Sequence, residues 1–438
     1  MKSIREKTAM TFWKKFRNEP VRKRRKSISS NLLGPENEKR TDFSFTGFDE
    51  DLLDLSEVMI EQAIGYIGVP LGLAGPFTID DREIRIPMAT EEPSVIAAAS
   101  FAGRLLSKHG GIRTQSTEPV MVAQVFLEGN LDLSSVEKVL SSRGSIKQHL
   151  QKTLESMESR GGGWRSIDAR WIAPSKTLAV NIQVDVRDSM GANLLNSVAE
   201  KVRPVLERIT GGKVLMAILS NRSWDRTASA RLSISTDEIG SVGFNGRETA
   251  RRIVRAARVA REDFDRAITH NKGIMNGISA LALATGNDTR AIEAAVHAYA
   301  ARYGPYHGLS QYWIEENTLH GSLELPLPFA VTGGAVKFHP TSRWSLEQLG
   351  NPDGPGLSRI AAALGLVQNL AALRALVCEG IQRGHMNFHA RRLAYNAGAR
   401  GDGIPAFTAV ICSENIRSRE AAAKRFTAWR EQINAESG

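Results

Sequence analysis

The apolar positions of this chain change period several times, and each change marks an element. Across residues 49–64 they recur at helical spacing, with Leu52, Leu55, Met59 and Ala63 on one face. Gly68, Pro70, Gly72 and Gly75 then interrupt residues 65–75, which read as a glycine-punctuated loop. Small and apolar residues fill 94–106 and predict a buried helix. After it the period falls to two. Residues 120–127 read as a strand. Val180, Ile182, Val184 and Val186 alternate with Asn181, Gln183 and Asp185, the pattern of a strand buried on one face only. Residues 214–219 and 232–234 read as further strands. Helical spacing returns at Ile253, Ala257, Ala260 and Phe264, with Arg251, Arg255 and Arg258 on the solvated side. Residues 291–303 and 357–378 continue it with small-residue helices. No internal repeat or long heptad run is present.

The change of period delimits a central α+β module over 118–224, inserted in a mainly helical body made of 1–117 and 225–380. The stretch 381–438 is basic and polar and forms a third part. With 438 residues, 42% hydrophobic and only 6% aromatic, the chain has material for more than one core and favours close helix packing. Its two cysteines, Cys378 and Cys412, form no Cys-x-x-Cys pair, so a reducing cytoplasm is expected. No apolar run suggests a bilayer span, and residues 1–26 lack the apolar centre of a signal peptide.

Charge adds one distinction. The formal net charge is +10, yet residues 1–26 alone hold 11 Lys/Arg against 2 Asp/Glu. The body is close to neutral and the basicity is that of an arm. The run Arg22 to Lys26 suits phosphate, but a nucleic-acid-binding protein is expected to carry basic patches in its folded body too.

Five segments offer chemistry. Residues 86–94, Ile-Pro-Met-Ala-Thr-Glu-Glu-Pro-Ser, place Glu92 between a strand and a helix start, with Pro93 suited to the first turn. A carboxylate there can also simply complement the helix dipole. Residues 269–273, Thr-His-Asn-Lys-Gly, hold Lys272 in company unlike a solvated helix face. Asp288 opens the next helix as an N-cap, with its second oxygen free to orient Lys272. Residues 188–193, Asp-Ser-Met-Gly-Ala-Asn, follow the alternating strand and can seat a pyrophosphate at a helix N-terminus. His385, beside Gly384, suits a mobile acid. His385 and His389 are four apart, but no third ligand accompanies them, so no metal site is expected. Neither Gly-x-Gly-x-x-Gly nor a Walker loop occurs, which leaves any nucleotide cofactor a non-Rossmann site.

Taken jointly, these segments resemble class II 3-hydroxy-3-methylglutaryl-coenzyme A (HMG-CoA) reductases, the soluble bacterial and archaeal type. The matching stretches are 61–65, 87–100, 184–193, 218–221, 266–277, 284–290, 333–340, 368–370 and 379–391, with Phe16-Arg17-Asn18 fitting the family's N-terminal arm. The resemblance implies an α+β fold: a large, mainly helical substrate-binding domain, an inserted small ferredoxin-like cofactor-binding domain and a C-terminal helical flap. It implies reduction of HMG-CoA to mevalonate and CoA by two hydrides from NADH or NADPH, or the reverse oxidation.

By the same resemblance, Lys272, held by Asp288, stabilises the developing oxyanion; His385 protonates the leaving CoA thiolate; and Glu92 protonates the aldehyde oxygen. Arg266 is implied at the HMG carboxylate, with Ser94, Asn271 and Gln368 nearby, and Arg17 at the CoA phosphates. Asp188, Met190, Gly191, Asn193 and Asn221 match the nicotinamide cofactor site. A homodimer with shared active sites is the implied minimum, with no membrane and no nucleic acid as partner.

The chain departs from the pattern at Gln62 and Ala63 in the interface motif and at Ser189. A count back from Gly161-Gly162-Gly163 to the position that selects the cofactor lands on Leu154, with Glu155 adjacent; a carboxylate there favours NADH over a 2′-phosphate. Two other classes compete with the enzyme. A non-catalytic CoA-binding protein on a reductase scaffold would have lost one of Glu92, Lys272, Asp288 and His385, and all four are present. A nucleic-acid-binding protein rests on the N-terminal run alone.

Overall fold

The computed structural model describes the backbone of residues 67–436 apart from 379 and 381, with residues 55 and 58–60; side chains at 382–388 and 434–436 are not described. Arg17, the 61–65 motif and most of the helix expected over 49–64 lie outside the described residues. Residues 69–380 form one compact unit, and 381–438 belong to a second.

The larger unit opens with a hairpin, β1 (Leu71–Ile79) and β2 (Arg82–Ala89), turned at Asp80 and Asp81. Both turn residues have positive φ, 47° and 65°, as a tight hairpin turn demands. The glycines of 68–75 do not make a loop alone: Gly72 and Gly75 lie inside β1, and Gly75 (φ 125°) precedes an irregularity in the β1–β2 register. Helix α1 (Val95–Ser107) and β3 (Ile112–Ser116) follow. Pro93 is not in the first turn of α1, because Ser94 at φ 74° intervenes as the N-cap.

The central module comes next. It consists of β4 (Val120–Glu128), α2 (Ser134–Ser141), α3 (Arg143–Glu158), β5 (Gly163–Ile172), β6 (Thr177–Asp185), α4 (Ala192–Thr210) and β7 (Lys213–Ser220). Its four strands pair antiparallel in the order β5-β6-β4-β7. A separate apolar core under α3 and α4 includes Leu150, Leu154, Val180, Ile182, Val198 and Val202.

The alternation in β6 misleads about burial. Asn181 and Asp185 are buried like the valines between which they stand. The reason is pairing in the sheet centre. Gln124 donates to Asn181, and Asn181 donates to Asp168, both at 2.8 Å. Asp185 accepts from Arg165 at 2.5 Å and from the Arg187 N–H at 2.8 Å. Buried polar groups are tolerated when each finds a partner.

The chain then returns to the body through β8 (Thr227–Ser235), which extends the expected 232–234 strand. It belongs to the other sheet, between β3 and a later strand, and not to the module. Helices α5 (Gly246–Glu262), α6 (Phe264–Ala284) and α7 (Thr289–Ala300), strands β9 (Ser310–Glu315) and β10 (Thr318–Pro326), and helices α8 (Ala335–Phe338), α9 (Pro340–Gln348) and α10 (Gly354–Val377) complete the unit. The body sheet runs β2-β1-β3-β8-β10-β9.

By length and composition α10 would cross a membrane, against the expectation for any run here, yet it is largely buried in the body core. It packs on α6 through glycines. A Cβ at Gly365 would stand 2.7 Å from Ile278 Cδ1, and one at Gly277 would stand 3.1 Å from Leu364 Cγ. The absent side chains let the helix axes approach and set α6 firmly against α10.

The second unit contains α11 (Gln382–Asn396), α12 (Gly403–Ser413) and α13 (Arg419–Glu436). They share a small core of Leu393, Ala394, Phe407, Ile411, Ala422 and Phe426.

Candidate active site

Lys272 lies in the middle of α6 rather than in a loop, and Asp263, capping the helix by accepting from the Arg266 N–H at 2.7 Å, sets where α6 begins. Lys272 Nζ donates to Glu92 Oε2 at 2.5 Å, although the two residues are 180 positions apart. Glu92 stands between β2 and α1, where its N–H donates to Thr90 Oγ1 at 3.1 Å. Its other oxygen, Oε1, is 3.5 Å from Asn276 Nδ2, one turn beyond Lys272. The side chains of Lys272 and Glu92 keep 57% and 39% of their exposure. A pair so open to water adds at most about 1 kcal/mol to stability, so folding energy does not explain it.

Two further residues show unmet demand. Ser94 Oγ and Gln368 Oε1 are buried and have no hydrogen-bond partner among the described residues. Such atoms cost about 1–3 kcal/mol each if they stay unpaired. Gln368 lies on α10 against Gly277, beside the α6 turn that carries Asn276. Arg266 is half-buried, and burial pulls its guanidinium below the usual arginine value. Asn271 is placed differently from expectation. It is fully buried, donates to the His307 carbonyl at 2.9 Å and accepts from the Leu309 N–H at 3.0 Å. Its amide anchors the 307–309 backbone, and the amide that meets Glu92 belongs to Asn276. Sequence reading missed Asn276, although its i, i+4 spacing from Lys272 on a helix was the available signal.

Asp288 caps α7 as expected. Its Oδ1 accepts from the N–H groups of Arg290 and Ala291, both at 3.0 Å, and Arg290 Nε is 3.7 Å away. Among the described residues the ion-pair partner of Lys272 is Glu92, and no ion pair joins Lys272 to Asp288.

The module reaches this neighbourhood through one continuous contact path. The Asp188 carbonyl accepts from the N–H groups of Val331 (2.9 Å) and Thr332 (3.3 Å), and Ser189 bridges Thr332. The segment after Thr332 then meets the turn before Asp288: a Cβ on Gly286 would be 2.6 Å from Ser342 Oγ and 3.3 Å from Val336 N. Asp188 Oδ1 also accepts from the Gly354 N–H at 2.9 Å, at the start of α10. Buried Arg226 donates to the Ser189 carbonyl at 3.1 Å and to the Phe329 carbonyl. Burial pulls Arg226 down to about 10, with Asp185 and Asp188 opposing that fall, so it remains charged at neutral pH.

At this end of the module the expected cofactor residues gather. Gly191 (φ 81°) is the N-cap of α4 and supplies no side-chain cap, so the first-turn N–H groups stay available. A Cβ at Gly191 would lie 2.5 Å from Val186 Cγ1, which leaves this cradle to glycine. Met190 is partly buried, and Asn193 and Asn221 are exposed. Asn196, one turn after Asn193, accepts from the Leu219 N–H at 2.9 Å and so ties α4 to the end of β7 beside Asn221. Leu154 is fully buried in the module core, whereas Glu155 is exposed.

His385 lies on α11, and its side chain is outside those described.

Comparison with known proteins follows the same residues. The family model described as hydroxymethylglutaryl-coenzyme A reductase matches residues 20–390. A 3-hydroxy-3-methylglutaryl-coenzyme A reductase of Archaeoglobus fulgidus is 46% identical over 356 residues, 80% of this chain and 80% of that protein. A probable reductase of Borreliella burgdorferi is 35% identical and covers 88% of this chain and 87% of its own length. Among solved structures, the Streptococcus pneumoniae reductase superposes with a TM-score of 0.78 at 36% identity, covering 83% of this chain and 99% of its own. A class II S. pneumoniae reductase bound to NADPH in open conformations gives 0.77 at 35% identity, again over 83% and 99%.

Proposed function

The chain belongs to the hydroxymethylglutaryl-coenzyme A reductase family, and from that premise we propose how its own residues divide the work. It is a nicotinamide-dependent oxidoreductase that interconverts HMG-CoA and mevalonate. The division of labour is the proposal, and the Lys272–Glu92 contact of 2.5 Å carries it.

The nicotinamide, when bound, supplies two hydrides. Lys272 offers a fixed cation where the substrate oxygen becomes negative, first at the thioester carbonyl and again at the aldehyde. Glu92, in hydrogen-bond contact with that cation, donates the proton that turns the second oxyanion into an alcohol. His385 protonates the departing CoA thiolate. Asp288 shapes the neighbouring turn rather than pairing with Lys272 directly. Arg266, Ser94 and Gln368 bind the HMG portion; the unpaired Ser94 Oγ and Gln368 Oε1 support this. Asn276 takes the substrate-facing place given above to Asn271. Arg17 and the basic arm bind the CoA phosphates.

Residues 118–224 act as the cofactor domain, and their strand order with helices α3 and α4 on one face supports a ferredoxin-like fold. Met190, Gly191, Asn193 and Asn221 hold the cofactor at the start of α4. Asp188, with one oxygen on the α10 N-terminus, acts there from the hinge between module and body. The preferred cofactor is NADH, on the exposed carboxylate of Glu155, which repels a 2′-phosphate. The working unit is a homodimer.

The test is Lys272→Ala, assayed with HMG-CoA and with NADH or NADPH. Turnover should fall by about three orders of magnitude or more while the circular dichroism of the fold is kept. Turnover within about threefold of the parent overturns the oxyanion role. Steady-state kcat/KM for NADH against NADPH decides the cofactor preference in the same assay.

A further inference from the structure

Two chain crossings join the module to the body, residues 116–120 between β3 and β4 and residues 220–227 between β7 and β8. Thr117 ties them together. Its Oγ1 donates to the Asp225 carbonyl at 3.0 Å and accepts from the Thr227 N–H at 2.8 Å. Its own N–H donates to the Thr227 carbonyl at 2.9 Å. Crossings held side by side make a hinge, and a hinge leaves one tilt free. Arg226 stands at the end of the second crossing, 3% exposed, and supplies a further tie. Its guanidinium donates to the Ser189 carbonyl of the module at 3.1 Å and to the Phe329 carbonyl of the body.

Each end of this tie lies next to a part of the site. Ser189 precedes Met190 and Gly191, the turn that begins α4. Phe329 precedes Ala330, whose N–H donates to Asn287 Oδ1 at 2.7 Å, and Asn287 precedes Asp288. The Leu327 carbonyl accepts at 2.7 Å from Ser358 Oγ on α10, the helix that carries Gln368. We infer that Arg226 is a positioning residue that fixes the cofactor turn against the 327–330 segment, so that a bound nicotinamide meets a bound thioester at hydride-transfer distance. This rests on the cofactor and substrate roles proposed above.

Packing alone does not call for an arginine here. A buried cation costs desolvation that an apolar side chain of similar volume would not. What the guanidinium adds is direction. It is planar, and its donors diverge at fixed angles, so two carbonyls from separate segments are held at one distance and one orientation. Bonds from a charged donor are also roughly twice as strong as neutral ones. The turn keeps its own shape without Arg226, because the Ser189 N–H and Oγ both donate to the Val186 carbonyl, at 3.1 and 2.8 Å. The contacts of Asp188 with Val331, Thr332 and Gly354 keep the two segments together. Removing the guanidinium is therefore expected to shift the turn and not to dismantle it.

Arg226→Met tests this, because it keeps an apolar stem and removes the donors and the charge. In the full-length chain, dissociation constants for NADH and for HMG-CoA, each measured alone, should stay within about threefold of the parent. The single-turnover rate of NADH oxidation, with HMG-CoA already bound, should fall by about tenfold to a hundredfold, the effect of a misplacement of about 1 Å. Amide exchange followed by mass spectrometry should quicken in 186–191 and 327–332 together and stay unchanged in 178–184. Arg226→Lys, which keeps the charge without the planar fork, should fall between Met and the parent, and it decides by the same readings if Arg226→Met does not fold. A folded variant that oxidises NADH at the parent's single-turnover rate overturns the inference. A loss confined to the NADH dissociation constant overturns it too and makes Arg226 part of the cofactor cradle. Quickened exchange in both segments, in a chain whose parent transfers no hydride, would sustain the tie and count against the oxidoreductase roles instead.

Discussion

Lys272 shows what one residue gains from its position in a helix. Read alone between Asn271 and Gly273, it looks unlike a residue of a solvated helix face. On α6 it becomes one member of a helical face, and its neighbour in action is Asn276, not Asn271. Asn271 faces the core, where its amide fastens the backbone at His307 and Leu309. Glu92, Lys272 and Asp288 were all legible as candidate chemistry, because carboxylates and a lysine beside glycine or proline are hard to explain as surface. Which carboxylate meets the lysine was not legible, since that depends on how β2, α6 and α7 pack.

His385 belongs to this scale too. If it protonates the thiolate, His385→Gln should lower HMG-CoA reduction by about tenfold or more and reduction of free mevaldehyde far less, because only the first expels a thiolate. Equal losses on both substrates would remove that role.

At the scale of elements, the module's cofactor end is built by a strand, a turn and a helix start. β6 ends at Asp185, whose buried charge is met by Arg165; the turn then brings Gly191 to φ 81° before α4. An alanine there would face both the left-handed backbone and Val186. Gly191→Ala should therefore distort the cradle at a cost above about 1 kcal/mol. The expected outcome is a rise in KM for the nicotinamide cofactor of about tenfold, with KM for HMG-CoA little changed. A cofactor KM equal to that of the parent would detach this turn from cofactor binding.

Period-two and period-3.6 patterns found β4, β6, β7, α1, α7 and α10 within a few residues, whereas the spacing from Ile253 to Phe264 ran across the break at Asp263 between α5 and α6. They missed β1, where glycines inside a strand imitated a loop. They also assigned β6 one wet face, because a sequence does not show that Asn181 and Asp185 meet partners from neighbouring strands.

For the whole molecule, stability should depend on a histidine that faces the core two residues before Lys272. His270 is 2% exposed; its Nε2 is 2.7 Å from Ser310 Oγ, and Nδ1 has no partner among the described residues. Burial, with a lesser contribution from the charge of Arg266, pulls it down to about 4. A base lowered in the folded state takes up its proton first when unfolded. Its contribution is therefore complete above the unfolded value near 6.5 and drains away as pH falls towards 4, by about 3 kcal/mol. Urea unfolding between pH 7 and 4.5 should show a steeper loss for the parent chain than for His270→Gln. Parallel curves would show that His270 is not buried in its neutral form.

The kinds of group available, their order along the chain and the family they mark were settled by the sequence, because side-chain chemistry and local periodicity are properties of short segments. Their pairing was settled only by the tertiary structure. Glycine contacts between α6 and α10, the cap on α7 and the hinge at Asp188 fix distances between segments up to 180 residues apart. An electrostatic site is defined by such distances, which no segment contains by itself.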